Sequence, residues 1–334
     1  MSLNFELDFS PFKHRKNLLA FSAGIDSTAL FFLLLDENIP FDIAIVDYNL
    51  RKSSKDEVSY AKELAQKYGK EIYTLETTLE DSHQEEQARH IRFDFFEEII
   101  HKEAYDYLLT AHQLNDQLEW FLMQLSKGAG SLELLGMKNF TQRQGYILAK
   151  PLLKLSKEQL LSYLDHHQKK YFVDSSNHDE SYKRNYFRHH FSDKLISKYQ
   201  EGITRSFDYL DQDNRLLLDQ SHSYFIEELT LISAHTPRTR LFYIDKDLKK
   251  RGYILSFAQR EEIQSHQSVV ISSRFVIEQV GNIVYIAPFI QKSMDKKFKE
   301  LCRLAEIPSK VRPFLYQQQI DVNLVQQKIV EWQS

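Results

Sequence analysis

Residues 18–30 read Leu-Leu-Ala-Phe-Ser-Ala-Gly-Ile-Asp-Ser-Thr-Ala-Leu, and this stretch decides the fold. An apolar run ends in a short polar loop, residues 22–27, and a second apolar run extends from that loop to Leu35. This order predicts a buried strand, a tight turn and a helix. The loop contains small residues, a glycine and hydroxyl groups, and unpaired N–H groups at the start of the helix would point at a bound anion. We therefore predict a phosphate site, with Asp26 facing the phosphates through a Mg²⁺ ion.

Composition excludes several classes of protein. The chain has 334 residues and a formal net charge of −4, which argues against indiscriminate nucleic-acid binding but leaves room for a local basic face. A single cysteine, Cys302, excludes disulfides within the chain and paired-cysteine chemistry. No apolar stretch has membrane-spanning length, and the first residues lack the pattern of a signal peptide. We therefore expect no membrane association and a cytoplasmic location.

Strand-like and helix-like segments alternate in the first half of the chain, which predicts βαβ units and a doubly wound parallel α/β sheet. The predicted strands are residues 17–21, 41–47, 71–75, 107–111 and 146–149. The predicted helices are residues 27–37, 54–68, 84–102 and 113–127. Ligands of such sheets bind beyond the carboxyl ends of the strands. The polar loops at residues 22–27, 47–51 and 112–116 should therefore meet at one crevice.

The alternation stops near residue 200, and the length of the chain allows one to three domains. Residues 203–231 are apolar at helical spacing and predict a long helix or a helical pair. Beyond them we predict helices at residues 256–265 and 295–305, and a hairpin of residues 268–277 with 282–287. The predicted division is a catalytic domain at residues 1–200, a helical segment at 201–236 and a small α+β C-terminal domain at 237–334.

A second polar motif follows the fourth predicted strand and contains His112, Asp116 and Glu119. Their spacing places them on one face of the helix that begins there. A histidine with two carboxylates can bind Mg²⁺, orient an amine or act as acid and base. The alternative is an ordinary capped helix with acidic residues near its positive end.

Two further segments carry arginine beside aromatic residues. Arg89, Arg92 and Phe93 can share one helix face, where an arginine fork suits phosphate oxygens; a salt-bridged surface helix is the alternative. In residues 174–188, a polar turn leads into a basic helix with interleaved aromatic side chains. Such a segment can stack on unpaired bases and bind phosphates.

The loop at residues 22–27 resembles the Ser-Gly-Gly-X-Asp-Ser loop of ATP pyrophosphatases. The four segments in this order resemble the tRNA(Ile)-lysidine synthase family, and the resemblance extends over about residues 18–191. Additional matches to that family are residues 45–51, 127–137 and 150–153. Each segment alone is a weak motif, whereas their combination is specific. The resemblance implies a Rossmann-like PP-loop fold.

The resemblance also implies the reaction. ATP adenylates the C2 oxygen of the wobble cytidine in the CAU anticodon of tRNA(Ile) and releases pyrophosphate, and free L-lysine then displaces AMP. The implied ATP-binding residues are Ser22, Ala23, Gly24, Ile25, Asp26 and Ser27. The implied catalytic residues are Asp26, Asp116, Arg89, His112 and Glu119. Asp26 and Asp116 would hold Mg²⁺, Arg184 and Arg188 would contact the tRNA, and residues 237–334 would form a tRNA-binding domain.

This chain departs from the family pattern at several positions. Gln113 replaces a histidine of the second motif, and residues 45–49 lack the histidines usual after the second strand. Ala23 replaces a glycine, and because a methyl group restricts φ, we expect Ala23 at φ below zero. Asn115 replaces an aspartate of the second motif, and its neutral oxygen could still serve as a metal ligand. These departures affect the expected metal ligation more than the expected function.

Two other functions remain open from the sequence. One is another PP-loop ATP pyrophosphatase acting on tRNA, such as a thiolase, although that chemistry generally needs paired cysteines. The other is a nucleotide-binding or RNA-binding relative without catalysis. The sequence does not fix the oligomeric state, and a homodimer is among the states it allows.

Overall fold

A computed structural model describes residue 5 and residues 7–49, 54–79, 84–173 and 183–333. Residues 174–182, where the polar turn is predicted to begin, and residues 50–51 of the family match therefore lie outside the described residues. The chain divides into two compact units, Met1–Leu210 and Asp211–Ser334. Within the described ranges, no helix is long and apolar enough to cross a membrane.

The first unit alternates strands and helices along the chain. Its strands are β1 (Asn17–Ala20), β2 (Asp42–Asp47), β3 (Ile72–Glu76), β4 (Tyr107–Leu109), β5 (Phe140–Gln142) and β6 (Ile147–Ala149). Its helices are α1 (Ile25–Asp36), α2 (Ser54–Tyr68), α3 (Gln84–Glu103), α4 (Leu114–Leu125), α5 (Ser131–Leu134), α6 (Lys157–His166) and α7 (Lys183–Phe187). A π-helical turn, Arg188–Ser192, joins α7 to α8 (Asp193–Leu218).

The strands of this unit form one sheet in the order β3-β2-β1-β4-β6-β5. All neighbouring strands run parallel except β5, which pairs antiparallel with β6. The strand order reverses between β1 and β4, and a ligand crevice is expected outside the carboxyl ends of strands at such a switch point. The predicted doubly wound parallel sheet is confirmed.

Both faces of the sheet are covered by apolar side chains. Successive residues of β1 point to opposite faces, so Leu19 packs in one core and Leu18 in the other. The first core includes α1, whose residues 27–34 are all buried. The second contains Phe96, Ile99 and Ile100 of α3. These two cores hold β1 and α1 firmly, and with them the loop between the two elements.

The second unit is built on an antiparallel sheet in the order β7-β8-β11-β10-β9. Its strands are β7 (His222–Ile226), β8 (Leu229–Ser233), β9 (Ser268–Ile271), β10 (Phe275–Val280) and β11 (Ile283–Pro288). Its helices are α9 (Pro237–Lys250), α10 (Phe257–Ser265), α11 (Lys296–Leu304), α12 (Arg312–Gln318) and α13 (Val322–Gln333). Separate apolar clusters cover the two faces of this sheet.

Two predictions for this half of the chain are wrong. The helix predicted at residues 203–231 ends at Leu218, because β7 and β8 form a hairpin in which all five residues of β8 are buried. The single strand predicted at residues 268–277 is two strands, since Ser272 and Ser273 both adopt positive φ and turn the chain between β9 and β10. The boundary between the compact units falls within α8, and the three-part division at residues 200 and 236 stays a prediction.

Candidate active site

The loop after β1 is closed by hydroxyl groups. The Ser22 N–H donates to Ser27 Oγ at 3.2 Å, and the two serine hydroxyl oxygens lie 3.0 Å apart. Gly24 is the N-cap of α1, and the Thr28 N–H donates to the Gly24 carbonyl at 2.9 Å. N–H groups in the first turn of a helix have no partner within the helix. The loop can therefore receive phosphate oxygens on its backbone.

Ala23 lies in the left-handed region, at φ +57°, so the expectation that its φ is below zero is wrong. Its methyl group is fully buried, and its carbonyl accepts from the Phe172 N–H at 2.9 Å. The turn from β1 into α1 requires this backbone conformation, which an L-residue adopts only at a cost. The contact with Phe172 helps to hold the strained residue in place.

Asp26 lies in the part of the loop that forms the first turn of α1. Its Oδ1 atom is buried and has no hydrogen-bond partner among the described residues. Burial, together with the negative charge of Asp116, raises the pKa of Asp26 to about 7. A buried carboxylate beside another carboxylate is stabilised by a cation between them. Asp26 and Asp116 therefore have the chemistry of a divalent-cation site.

Mg²⁺ in nucleotide enzymes is commonly held by one or two carboxylates and the phosphates of the substrate. The pair Asp26 and Asp116 fits that ligand set. Among the described residues, no group of three or more His, Cys, Asp or Glu side chains is arranged to hold a metal ion. The site therefore suits a metal that arrives with phosphate oxygens better than a metal enclosed by protein ligands.

The start of α4 is fixed by a reciprocal cap. The Gln113 side chain accepts from the Asn115 N–H at 2.5 Å, and Asp116 Oδ2 accepts from the Gln113 N–H at 3.0 Å. Asp116 thus uses one oxygen to cap its own helix and keeps Oδ1 for other partners. This cap fixes the orientation of the carboxylate.

Asn115 has a structural role, which makes the suggestion that its oxygen binds the metal unnecessary. Its Oδ1 accepts from the Lys157 N–H at 3.1 Å, and its Nδ2 donates to Asp193 Oδ1 at 2.7 Å. Both ends of the amide are therefore engaged, and the side chain ties α4 to the starts of α6 and α8. An aspartate here could not donate to Asp193.

Asp116 and Glu119 are joined to two arginines of the segment after residue 182. Arg184 donates to Asp116 Oδ1 at 2.5 Å and to Glu119 Oε2 at 2.8 Å. Arg188 donates to Glu119 Oε1 at 2.6 Å. The Glu119 side chain is fully buried and that of Arg188 nearly so, whereas the Arg184 side chain is 36% exposed. The arginines predicted to contact tRNA thus lie against the predicted catalytic carboxylates.

The two carboxylates respond differently to this environment. Burial opposes the charge of Asp116, but Arg184, His112 and the cap at Gln113 outweigh it and lower the pKa of Asp116. Burial and the charge of Asp116 raise the pKa of Glu119 despite its arginine partners. Such divergence of neighbouring acids is common at sites of proton transfer or cation binding.

His112 follows β4 and is held by Thr110. Its Nδ1 lies 3.1 Å from Thr110 Oγ1, and burial lowers its pKa to about 4. Lys150, Arg184 and Arg89 also disfavour the charged form, against the opposing effect of Asp116. The imidazole is therefore neutral at pH 7, with one ring nitrogen that can donate a hydrogen bond and one that can accept a hydrogen bond.

Arg89 is exposed on α3, with its guanidinium 4.9 Å from the centre of the Phe93 ring. It is close enough to His112 and Lys150 to influence the pKa of each. The structure therefore brings all five predicted catalytic residues to the ends of β1 and β4 and the facing part of α3. Lys150, which directly follows the correctly predicted strand β6, also acts on His112 and was not among the predicted site residues.

Known proteins resemble this chain in sequence over most of its length. A family profile described as the PP-loop domain matches residues 2–195. A curated tRNA(Ile)-lysidine synthase from Campylobacter jejuni strain RM1221 is 43% identical over 314 residues, covering 93% of this chain and 95% of the relative. Another, from Helicobacter pylori strain 26695, is 42% identical over 316 residues, covering 94% and 93% of the respective chains.

Among solved structures, the U34-tRNA thiolase NcsA from Methanococcus maripaludis is similar in fold, with a TM-score of 0.50 and 20% identity. The match covers 62% of this chain and 75% of that one. The sheet, the loop and the family profile define the chain as a PP-loop protein. Given its identity to relatives over nearly their full length, it belongs to the tRNA(Ile)-lysidine synthase family.

Proposed function

We propose that the protein ligates free L-lysine to C2 of the wobble cytidine in the CAU anticodon of tRNA(Ile), with ATP as the activating substrate. The C2 oxygen attacks the α-phosphorus of ATP, so that an O–P bond forms and pyrophosphate leaves. The lysine amine then attacks C2, loses a proton, and AMP departs with the former C2 oxygen. Membership of the tRNA(Ile)-lysidine synthase family supports this assignment.

The loop residues would bind the departing pyrophosphate. Backbone N–H groups at the start of α1 offer donors in a fixed orientation, and Ser27 keeps the loop closed around them. Asp26 and Asp116 would hold a Mg²⁺ ion, which neutralises charge on the phosphates. Arg89, at the rim of the crevice, would stabilise the charge that develops on the transferring group.

Glu119 and His112 would act on the second step. A carboxylate favours an ammonium group, so Glu119 would help to orient lysine, and neutral His112 could accept the proton released by the attacking amine. Because Arg184 and Arg188 occupy both carboxylates, an incoming amine must compete with them or share their oxygens. Movement of the arginines toward tRNA phosphates would release the carboxylates for the amine.

The observation that carries the proposal is the position of the phosphate loop beside a buried pair of carboxylates, Asp116 and Glu119. An enzyme that only cleaves ATP needs the loop and the metal, whereas transfer to an amine also needs an acidic group to orient it. The second carboxylate, Glu119, has no evident role in holding nucleotide.

The direct test is incorporation of labelled lysine. The protein is incubated with ATP, Mg²⁺, radiolabelled lysine and a tRNA(Ile) transcript with the CAU anticodon, and label is counted in the RNA. We expect label that depends on ATP and disappears when the wobble cytidine is replaced by uridine. ATP-dependent pyrophosphate release without any label in RNA would contradict the assignment.

A thiolase activity is less compatible with this chain. The solved thiolase is described with a [4Fe-4S] cluster, and such clusters are held by several cysteine thiolates. This chain has one cysteine, Cys302, which is buried. A cytoplasmic location, contact of the C-terminal unit with tRNA and the oligomeric state stay predictions.

A further inference from the structure

Lys150 lies at the carboxyl end of β6, next to β4 in the sheet. Only 8% of the residue is exposed, and its N–H donates to the Asn139 carbonyl at 2.8 Å. Ala149, immediately before it, accepts from the Thr110 N–H at 2.9 Å, and Thr110 contacts His112. Lys150 is therefore fixed beside the active-site crevice by the backbone of the sheet.

The charges around the Lys150 ammonium are of the same sign. No carboxylate among the described residues lies within ion-pairing distance of it. Burial, followed by the positive charges of Arg143 and Arg89, lowers the pKa of Lys150 to about 8. His112, on the neighbouring strand end, is also influenced by Lys150 and Arg89. Two exposed arginines, Arg89 and Arg143, thus act on a buried amine.

Such an arrangement has an energetic cost unless an anion compensates it. A buried ammonium is normally paired with an acid, and each additional cation nearby makes the charged form less favourable. An oxyanion placed among these groups would gain several charge-assisted hydrogen bonds. The cluster therefore has the composition of an anion site.

We propose that Lys150, flanked by Arg89 and Arg143, forms an anion subsite that binds an oxyanion of a substrate in the crevice. The inference rests on the proposed function for the identity of the substrates. Two substrate groups share the required chemistry: the α-carboxylate of free lysine and a phosphate of ATP or of the adenylated RNA.

The position of the cluster favours the carboxylate of lysine. The largest charge effects on Asp26, at the phosphate loop, come from Asp116, Lys157, Arg188 and Glu119. His112 lies between the two regions, since it is influenced by both Asp116 and Lys150. A lysine molecule could thus place its amine near the carboxylates of α4 and its carboxylate at Lys150.

The test compares lysine with lysinamide, in which a neutral amide replaces the carboxylate. Wild-type enzyme, K150M and K150R are assayed for the KM of lysine, for inhibition of lysine incorporation by lysinamide, and for pyrophosphate release without lysine. K154M serves as the matched control, because Lys154 follows Lys150 closely, is 48% exposed and pairs with Asp208.

If the subsite binds the carboxylate, K150M should raise the KM of lysine by about tenfold or more and leave inhibition by lysinamide nearly unchanged. K150R keeps a positive charge and should therefore retain most of the wild-type preference for lysine over lysinamide. If the subsite binds a phosphate instead, pyrophosphate release should fall by a similar factor while the KM of lysine stays constant. Either result supports an anion subsite and identifies its occupant.

Thermal unfolding provides the second readout. Because K150M removes a buried charge that has no acidic partner, the variant should unfold at no lower temperature than wild type. Folded K150M with all three kinetic parameters unchanged would overturn the proposal, as would folded K150R that is as impaired as K150M. Failure of the wild-type enzyme to incorporate lysine would instead contradict the proposed function.

Discussion

Ala23 shows how a single backbone angle constrains the phosphate loop. Its φ of +57° is accessible to glycine without strain, whereas an L-residue pays roughly 1–2 kcal/mol in this conformation. Packing of the buried methyl group offsets part of this conformational strain. The residue is therefore tolerated because its side chain is the smallest that can be buried there.

We expect A23G to keep the free energy of unfolding within about 1 kcal/mol of wild type, since relief of strain offsets the lost methyl group and the gain in unfolded-state entropy. A23V should lose at least about 2 kcal/mol, because a β-branched side chain at positive φ in a packed loop has no relaxed rotamer. Denaturant unfolding measures both. A variant A23V as stable as A23G would show that the loop does not impose this angle.

Asp26 gives a prediction for pH. Its pKa is raised from 3.8 to about 7 in the folded protein, so the native state binds a proton that the unfolded state has released. The contribution of Asp26 to stability is therefore greatest below about pH 4 and declines as the pH rises to 7. Above pH 7 the buried carboxylate is ionised in the folded protein, and its desolvation then lowers the free energy of unfolding in full.

In metal-free buffer at pH 8, we expect D26N to be more stable than wild type by roughly 1–3 kcal/mol, since each pKa unit corresponds to about 1.4 kcal/mol. The same variant should release no pyrophosphate from ATP with tRNA. Unfolding curves at pH 5 and pH 8 test the first expectation, because the advantage should shrink at the lower pH. Equal stability of both proteins at pH 8 would contradict it.

The sequence predicted that Asp26 and Asp116 lie close together, because the carboxyl ends of parallel strands converge at one edge of the sheet. It could not predict the φ of Ala23, which depends on the path from β1 to α1. Nor could it predict that Asn115 joins α6 and α8, since those partners lie 42 and 78 residues away in the chain. The sequence could not single out Lys150 either. Its burial, and the lack of an ion-paired acid among the residues that the structure describes, depend on the tertiary fold.

At the scale of elements, α4 and the segment from α7 to the π-helical turn form one charged network. Glu119 is fully buried between Arg184 and Arg188. Removing one member of a buried ion pair typically costs 3–5 kcal/mol, because the remaining charge is left without compensation. The tRNA-binding role predicted for these arginines must therefore be tested with a variant that still folds.

We expect R188M to lose about 3 kcal/mol or more of stability, since the Arg188 side chain is only 12% exposed beside buried Glu119. R184M should lose less, because Arg184 is 36% exposed and Glu119 keeps Arg188. Folded R184M should bind tRNA more weakly and bind ATP normally. The slope of the logarithm of its tRNA-binding constant against the logarithm of salt concentration should become shallower by about one. Unchanged tRNA affinity and salt dependence in R184M would remove this residue from the RNA contact.

The strands and helices of the first unit were predictable because their apolar periodicity agrees with their alternating order along the chain. The hairpin of β7 and β8 was not, because the apolar residues of 222–233 fit a helical spacing as readily as an alternating one. What selects the strand is pairing of β8 with β11, which lies more than fifty residues later. The turn at Ser272 and Ser273 lacks the glycine that normally marks positive φ.

In the whole chain, the two units differ in how much of their function the sequence indicates. Residues 2–195 carry the family profile and every predicted site residue. The second unit has its own sheet and its own apolar clusters. The Campylobacter jejuni and Helicobacter pylori relatives match over more than nine-tenths of this chain, so their similarity to it includes the second unit.

If ATP activates the RNA before lysine reacts, the two steps of the reaction can be observed one after the other. In a single-turnover assay with ATP and CAU-anticodon tRNA(Ile), we expect pyrophosphate release without lysine and retention of the adenylate label on the RNA. Later addition of lysine should release AMP and transfer lysine to the same RNA. Pyrophosphate release that requires lysine but not tRNA would contradict the account, since it would mean that the amino acid, and not the cytidine, is activated.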